Sequence, residues 1–163
     1  MRTRRPGYPY GFDLTVSGWS RWVDRIVASQ AGDRVARGII AQHRGHLVKT
    51  TGDGLLATFD GPSRAVACTT ALHTAMAQLD LPIRAGLHAG EIEIRPDDIA
   101  GIAVHIAARI AGLAAAHQTM VSSTVKDLVA GSGFAFSDAG EQQLKGVEEP
   151  WRCYSLVPTP ETG

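Results

Sequence analysis

Two segments of the sequence combine carboxylates with basic residues at spacings that could bind a charged ligand. The first, Lys49-Thr-Thr-Gly-Asp53-Gly, places a carboxylate between two glycines, with apolar β-forming residues on either side. This pattern predicts a β-hairpin whose tip carries Asp53. Glycine lets the backbone come close to a ligand, and the carboxylate offers oxygen to a hard cation. A plain Asp-Gly turn without a ligand is the alternative.

The second segment runs from Asp98 through His105 to Arg109 and is otherwise made of small or aliphatic residues. His105 and Arg109 are four residues apart, so they share one face of a predicted helix. The guanidinium of Arg109 offers a fork of donors that suits phosphate, and the small neighbours would let a ligand approach. The alternative is a helix that Asp98 caps and in which Arg109 forms a salt bridge.

Two glycine-containing segments accompany them, Arg84-Ala-Gly-Leu-His88-Ala-Gly-Glu91 and Leu144-Lys-Gly-Val-Glu-Glu-Pro150. Glycine inside a strand indicates a bulge or a close approach of another backbone. His88 and Glu91 could start a zinc site, but no third or fourth ligand follows at a matching spacing. Taken alone, both segments are expected to be structural.

The hydrophobic pattern predicts the elements that must position these residues. We expect helices over 19–42, from about 62 to 79, over 99–115 and over 123–130. We expect strands over 46–51, 55–59, 82–94, 120–122, 134–136 and 151–157. This order favours an α/β sandwich (α+β), in which helices pack on one mostly antiparallel sheet. The GxxxxGK[ST] and GxGxxG phosphate loops do not occur in the sequence.

The length of 163 residues predicts one domain, which we place at residues 12–158 between a basic, Pro/Gly-rich arm (1–11) and a short tail (159–163). Lys+Arg and Asp+Glu both number 16, so nucleic acid is not expected as a partner. The sequence contains neither an apolar signal region after its basic start nor a membrane span. The two cysteines, Cys68 and Cys153, predict reduced, buried thiols in a cytoplasmic protein.

Four motifs, KTTGDG, RxGLHxGE, DIxGxxVHxAAR and LKGVxxP, occur in this order between Gly45 and Pro158. With them the sequence resembles the catalytic domains of class III nucleotidyl cyclases, most closely the actinobacterial adenylate cyclases. The resemblance implies a ferredoxin-like α/β core. It also implies a homodimer that converts ATP to 3′,5′-cyclic AMP and pyrophosphate for intracellular signalling, with two divalent cations, Mg²⁺ or Mn²⁺, as cofactors.

The resemblance also implies roles for individual residues. Asp53 corresponds to a metal-binding carboxylate. Lys49 and Asp98 correspond to the pair that reads adenine, with an ammonium facing the N1 acceptor and a carboxylate facing the N6 donor. Arg109 corresponds to the arginine that stabilises phosphate charge in the transition state. His105 stands where many members of the family carry Asn, and a histidine can still donate one hydrogen bond.

The first strand departs furthest from the family pattern F-x-D-I-x-x-[ST]. The nearest candidate is Phe12-Asp13-Leu14-Thr15-Val16-Ser17, in which Phe directly precedes Asp and Asp13 lies 40 residues before Asp53. Asp13 is therefore the candidate second metal ligand, and the alternative is that Asp13 is a surface residue of a degenerate strand.

Three functions remain open at this point. The leading one is an active homodimeric adenylate cyclase. The second is a degenerate cyclase-like domain that binds a nucleotide or a partner with little or no turnover. The third is a purely structural dimerisation module. A diguanylate cyclase is a weaker alternative, because KTTGDG lacks the Glu of a GGDEF-like turn.

Overall fold

The computed structural model describes residues 10–17, 24–51, 54–96 and 98–158, with the backbone alone at 10–17, 24–31, 51, 94 and 95. Nine strands and four helices occur within these ranges. The strands are β1 (Tyr10–Ser17), β2 (His46–Thr51), β3 (Gly54–Phe59), β4 (Arg84–Glu91), β5 (Glu93–Arg95), β6 (Asp98–Ala100), β7 (Thr119–Ser122), β8 (Phe136–Gln142) and β9 (Trp151–Leu156). The helices are α1 (Asp24–Gln42), α2 (Pro62–Gln78), α3 (Ile102–Leu113) and α4 (Ser123–Leu128).

Seven of the strands form one sheet in the order β2-β3-β1-β4-β7-β9-β8, and β5 and β6 form a separate two-stranded ribbon. Only β4 and β7 pair in parallel among the described strands; the other pairs are antiparallel. The prediction of a mostly antiparallel sheet with helices packed on it is confirmed. The first strand forms as well, and it begins at Tyr10, inside the segment predicted to be an arm.

The two faces of the sheet are covered by different helices. Leu55 and Ala57 of β3 belong to the main apolar cluster, together with residues of α1 and α2, whereas Leu56 belongs to a cluster with Ala103 of α3. Successive residues of a strand point to opposite faces. Therefore α1 and α2 lie on one face, and α3 lies on the other.

Glycine in β4 allows α3 to lie directly on the sheet. A Cβ placed on Gly86 would come within 2.3 Å of the backbone nitrogen of Ala111 and 2.8 Å of the carbonyl oxygen of Ala107. A Cβ on Gly90 would lie 2.8 Å from the Cβ of Ala103. Of the two alternatives for this segment, a bulge or a close approach of another backbone, the close approach occurs at Gly86, and it fixes the height of α3 above β4.

Two boundaries differ from the sequence prediction. The predicted strand 82–94 divides into β4 and β5, and residues 98–100 form β6 instead of opening the following helix. The predicted strand 134–136 lies mostly before the observed β8. Both cysteines are free and fully buried, as predicted, and burial raises the pKa of the Cys68 thiol to about 12.

Candidate active site

Lys49 and Asp98 contact each other in the folded chain. The Nζ of Lys49, on the edge strand β2, donates to Oδ2 of Asp98, on β6, over 3.0 Å. Each side chain is 43% exposed, so the pair is open to solvent. An exposed ion pair of this kind stabilises a protein by about 0–1 kcal/mol, so a ligand can compete for either partner at low cost. The two residues assigned to one base by resemblance thus lie together in one chain.

A backbone hydrogen bond orients the carboxylate of Asp98. Its Oδ1 accepts from the N–H of Ile99 over 2.8 Å, while Oδ2 faces Lys49. Asp98 does not cap α3: the N-cap is Gly101, with φ of 128°, and no side chain bonds there. The interpretation of Asp98 as a helix cap is therefore wrong.

Arg109 lies on the exposed side of α3. It forms no ion pair or hydrogen bond through its side chain with any residue that the structure describes. The alternative in which Arg109 forms a salt bridge finds no support within these ranges. A guanidinium without a protein partner keeps its five donors available to an anion.

His105 lies one helical turn before Arg109, as predicted, but one of its ring nitrogens is engaged by the protein. Nε2 is 3.0 Å from the carbonyl oxygen of Lys145, in the turn between β8 and β9. A carbonyl can only accept, so Nε2 carries the proton, and in the neutral ring Nδ1 keeps the lone pair. A hydrogen bond from His105 to a ligand through Nε2 would require this contact to break.

The structure describes the backbone of one of the two predicted metal carboxylates. Asp53 lies outside the described residues. For Asp13 the backbone is described, and its Cα pairs with Thr58 of β3 and His88 of β4. Ser17, four residues further along β1, pairs with Gly54, the residue after Asp53. Four residues of extended strand span roughly 13 Å, so Asp13 lies about that far along β1 from the residue that faces Gly54.

No group of three or more His, Cys, Asp or Glu side chains that could hold a metal ion occurs within the described ranges. These ranges therefore do not assemble a metal site by themselves. Asp53 keeps the right chemistry for a hard cation, because Mg²⁺ and Mn²⁺ favour carboxylate oxygen.

The contacts of His88, which is buried, indicate a structural role. Its Nδ1 is 2.8 Å from the Oγ of Ser122, and Ser122 in turn caps α4 by accepting from the N–H of Val125. The ring of Trp151 packs against the imidazole edge to face at 4.8 Å. Burial lowers the pKa of His88 to about 4, so it is neutral at physiological pH.

The sequence analysis missed the residues that hold Asp98 in place. A small apolar cluster of Leu56, Ile92, Ile99 and Ala103, with Val48 and Val104 packed against it, connects the β5–β6 ribbon to β2, β3 and α3. The alternation Glu91-Ile-Glu-Ile-Arg95 followed by Pro96 was the available signal, because it is typical of a strand that ends in a turn.

Comparison with known proteins places this geometry in a family. The sequence model of one protein family, the adenylate and guanylate cyclase catalytic domain, matches residues 34–158. A Rhizobium meliloti (strain 1021) protein named "Putative adenylate cyclase 3" is 32% identical over 156 residues, which are 86% of this chain and 27% of that protein. The uncharacterised protein Rv1359 of Mycobacterium tuberculosis is 36% identical over 116 residues, 69% of this chain and 46% of its own length. The chain thus spans about a quarter to a half of these relatives.

Solved structures agree with the sequence matches. The crystal structure of an adenylate/guanylate cyclase/hydrolase from Silicibacter pomeroyi superposes with a TM-score of 0.82 at 30% identity, covering 92% of this chain and 97% of the other. The adenylyl cyclase CyaB from P. aeruginosa shares the fold, with a TM-score of 0.82 at 18% identity over 93% and 95% of the two chains. No described helix is both long and apolar enough to cross a membrane. On the family match and these superpositions, the chain belongs to the adenylate and guanylate cyclase catalytic domain family, the class III nucleotidyl cyclases.

Proposed function

We propose that this chain is an adenylate cyclase domain that converts ATP to 3′,5′-cyclic AMP and pyrophosphate. The observation that carries the proposal is the contact between Lys49 and Asp98. It sets an ammonium donor beside a carboxylate acceptor, and adenine presents the complementary edge, with N1 as acceptor and the N6 amino group as donor. Guanine presents O6 as acceptor and N1–H as donor, so the same pair would be mismatched.

In the reaction the ribose 3′-oxygen attacks the α-phosphorus and loses its proton. The bond between the α-phosphorus and the bridging oxygen breaks, and pyrophosphate leaves with the electron pair. Negative charge gathers on the phosphate oxygens in the transition state. We assign the guanidinium of Arg109, which pairs with no described residue, to stabilise it. We assign His105 to the catalytic face next to Arg109, where its Nδ1 is the nitrogen left for the nucleotide.

For the cofactors we propose divalent cations, Mg²⁺ or Mn²⁺, held by Asp53, with Asp13 as the candidate second ligand. Bound cations would neutralise charge on the triphosphate. The alternative that Asp13 takes no part is supported by the strand register: Ser17 pairs with Gly54, whereas Asp13 pairs with Thr58, four residues further from the β2–β3 turn.

We further propose a homodimer in which each site takes its metal carboxylates from one chain and Lys49, Asp98 and Arg109 from the other. Ile102 and Leu113 on α3 support this, because they are 60% and 41% exposed and lie three helical turns apart on one face. Mixing inactive Lys49→Ala and Asp53→Ala chains tests it. Random exchange makes half of the dimers mixed, each with one intact site, so about a quarter of wild-type activity should return. No recovery despite proven exchange would contradict shared sites.

A second candidate is a cyclase-like domain that binds nucleotide with little turnover. It is favoured by the engagement of His105 Nε2 with Lys145 and by the register of Asp13. Assaying cyclic AMP formation with Mn²⁺-ATP and with Mg²⁺-ATP, together with equilibrium nucleotide binding, separates the two. Turnover supports the cyclase, whereas binding without turnover supports the degenerate domain.

A further inference from the structure

The β5–β6 ribbon carries Asp98, yet it has little intrinsic stability. Each strand has three residues, and the pairing comprises Glu93 with Ala100, Ile94 with Ile99, and Arg95 with Asp98. An isolated ribbon of this size is not stable in water. Among the described strands it joins no larger sheet. Side chains that pack against the rest of the chain therefore help to hold it in position.

Ile99 supplies that packing. Its side chain is 7% exposed and lies in the apolar cluster with Leu56, Ile92 and Ala103. Burying an isoleucine contributes a substantial part of the stability of a small unit such as this ribbon. The same residue donates its backbone N–H to Oδ1 of Asp98. Ile99 thus both anchors the ribbon and orients the carboxylate.

From these contacts we propose that the side chain of Ile99 acts as a positioning group that, through its packing, sets the preference for adenine over guanine. The inference rests on the proposed function of Lys49 and Asp98. Their ion pair is exposed, so it is too weak to hold its own geometry. When the anchor is shortened, both charges remain but their directions are no longer fixed. Attraction for a nucleotide then persists, while discrimination between the two bases declines.

The test compares matched truncations in two clusters. Ile99→Ala is compared with Ile40→Ala, which shortens a buried isoleucine of α1 in the main cluster. Affinity for ATP and GTP is measured with ribose-labelled nucleotides on the full chain, with urea unfolding of each variant alongside. The ratio of the two affinities should fall about tenfold in Ile99→Ala, equivalent to one hydrogen bond of about 1.4 kcal/mol. In Ile40→Ala the ratio should stay at the wild-type value.

If either alanine variant does not fold, Ile99→Val and Ile40→Val remove one methylene at the same two positions. Ile99→Val should lower the ratio of the two affinities by a smaller factor than Ile99→Ala, about twofold, whereas Ile40→Val should leave it at the wild-type value. An unchanged ratio in the Ile99 variants would overturn the positioning role. If Lys49→Glu and Asp98→Cys also leave the ratio unchanged, the assignment of the base-reading pair fails instead, so the two failures are distinguishable.

Discussion

The imidazole of His105 lies directly against the backbone of Gly146. A Cβ on Gly146 would lie 2.9 Å from Nε2 of His105, the atom that donates to the carbonyl of Lys145. Gly146 also has φ of +81°, which disfavours any residue with a side chain. Leu144, 2% exposed, anchors the same turn in a cluster with Ile106 and Ile110 of α3.

A double-mutant cycle tests this contact. Gly146→Ala should cost about 2 kcal/mol of unfolding free energy, because the backbone is strained and the histidine must leave the Lys145 carbonyl. In the His105→Ala background only the strain remains, so the cost should fall by about 1 kcal/mol. Urea unfolding of the four proteins measures both values. Equal costs in the two backgrounds would show that the ring and the turn are not coupled.

Gly86 offers a second test, through the contact between β4 and α3. Gly86→Ala should destabilise the protein by about 3 kcal/mol or more, because its Cβ would meet backbone atoms that cannot rotate away. Gly112→Ala is the control: it lies on the exposed side of α3 with nothing within 4 Å of its Cβ. That substitution should be neutral or stabilise the helix by up to about 1 kcal/mol. Thermal unfolding distinguishes them, and a neutral Gly86→Ala would contradict the described packing of α3.

One buried and one half-buried histidine predict how stability depends on pH. The pKa of His88 and that of His73 are lowered to about 4 from an ordinary value of 6.5, chiefly by burial and, for His73, also by His117. Between pH 4 and 6.5 the unfolded chain binds these protons and the native chain does not. Stability is therefore complete above about pH 6.5 and falls as the pH drops towards 4, by about 3 kcal/mol for each group.

Urea midpoints at pH 5, 6, 7 and 8 measure this dependence above the range where most carboxylates titrate. His73→Gln should halve the slope of the urea midpoint against pH between pH 5 and 6.5. The midpoints of this variant at pH 7 and pH 8 should be equal to each other. A flat profile from pH 5 to 8 in the wild-type protein would mean that the two rings are accessible to protons in the native state.

Replacing Arg109 should lower catalytic activity and leave stability almost unchanged. Its side chain has no described protein partner, so Arg109→Ala should change the unfolding free energy by less than about 0.5 kcal/mol. If it stabilises charge on the phosphates, the same change should lower kcat about a hundredfold or more and affect KM for ATP much less. Initial rates of cyclic AMP formation measure the split. A loss confined to KM would assign Arg109 to ground-state binding.

The sequence predicted the elements with strong apolar periodicity well and the weakly patterned ones poorly. The hairpin at 46–59, α2 and the body of α3 follow from turn residues and apolar spacing. The edge strand β8 was largely missed, because its residues Ser137 to Gln142 are mostly polar and exposed and show no alternation. Its pairing with β9, interrupted by a bulge after Asp138, is decided by tertiary contacts.

At the site, sequence spacing predicted proximity only for residues that share a helix or strand. His105 and Arg109 were placed on one helix face by their separation of four. The contact of Lys49 with Asp98 joins residues 49 positions apart, and only the resemblance to a family suggested it before the fold was known. An Asp before a run of small apolar residues predicts a helix cap, so the sequence places Asp98 at the helix start. In the structure Ile99 is buried in a cluster with Leu56, and residues 98–100 form a strand instead.

The most direct measurement of the central claim is the ratio of cyclic AMP to cyclic GMP formation in the variant that carries both Lys49→Glu and Asp98→Cys. The paired side chains are exposed, so the fold should tolerate both changes. Each lost hydrogen bond to adenine removes about 1–3 kcal/mol of discrimination, so the two together should lower ATP turnover by about thirtyfold or more and GTP turnover much less. That result is the one that an adenine-reading pair predicts. An equal fall with both nucleotides, in a variant whose unfolding midpoint matches the wild type, would contradict the claim that Lys49 and Asp98 read the base.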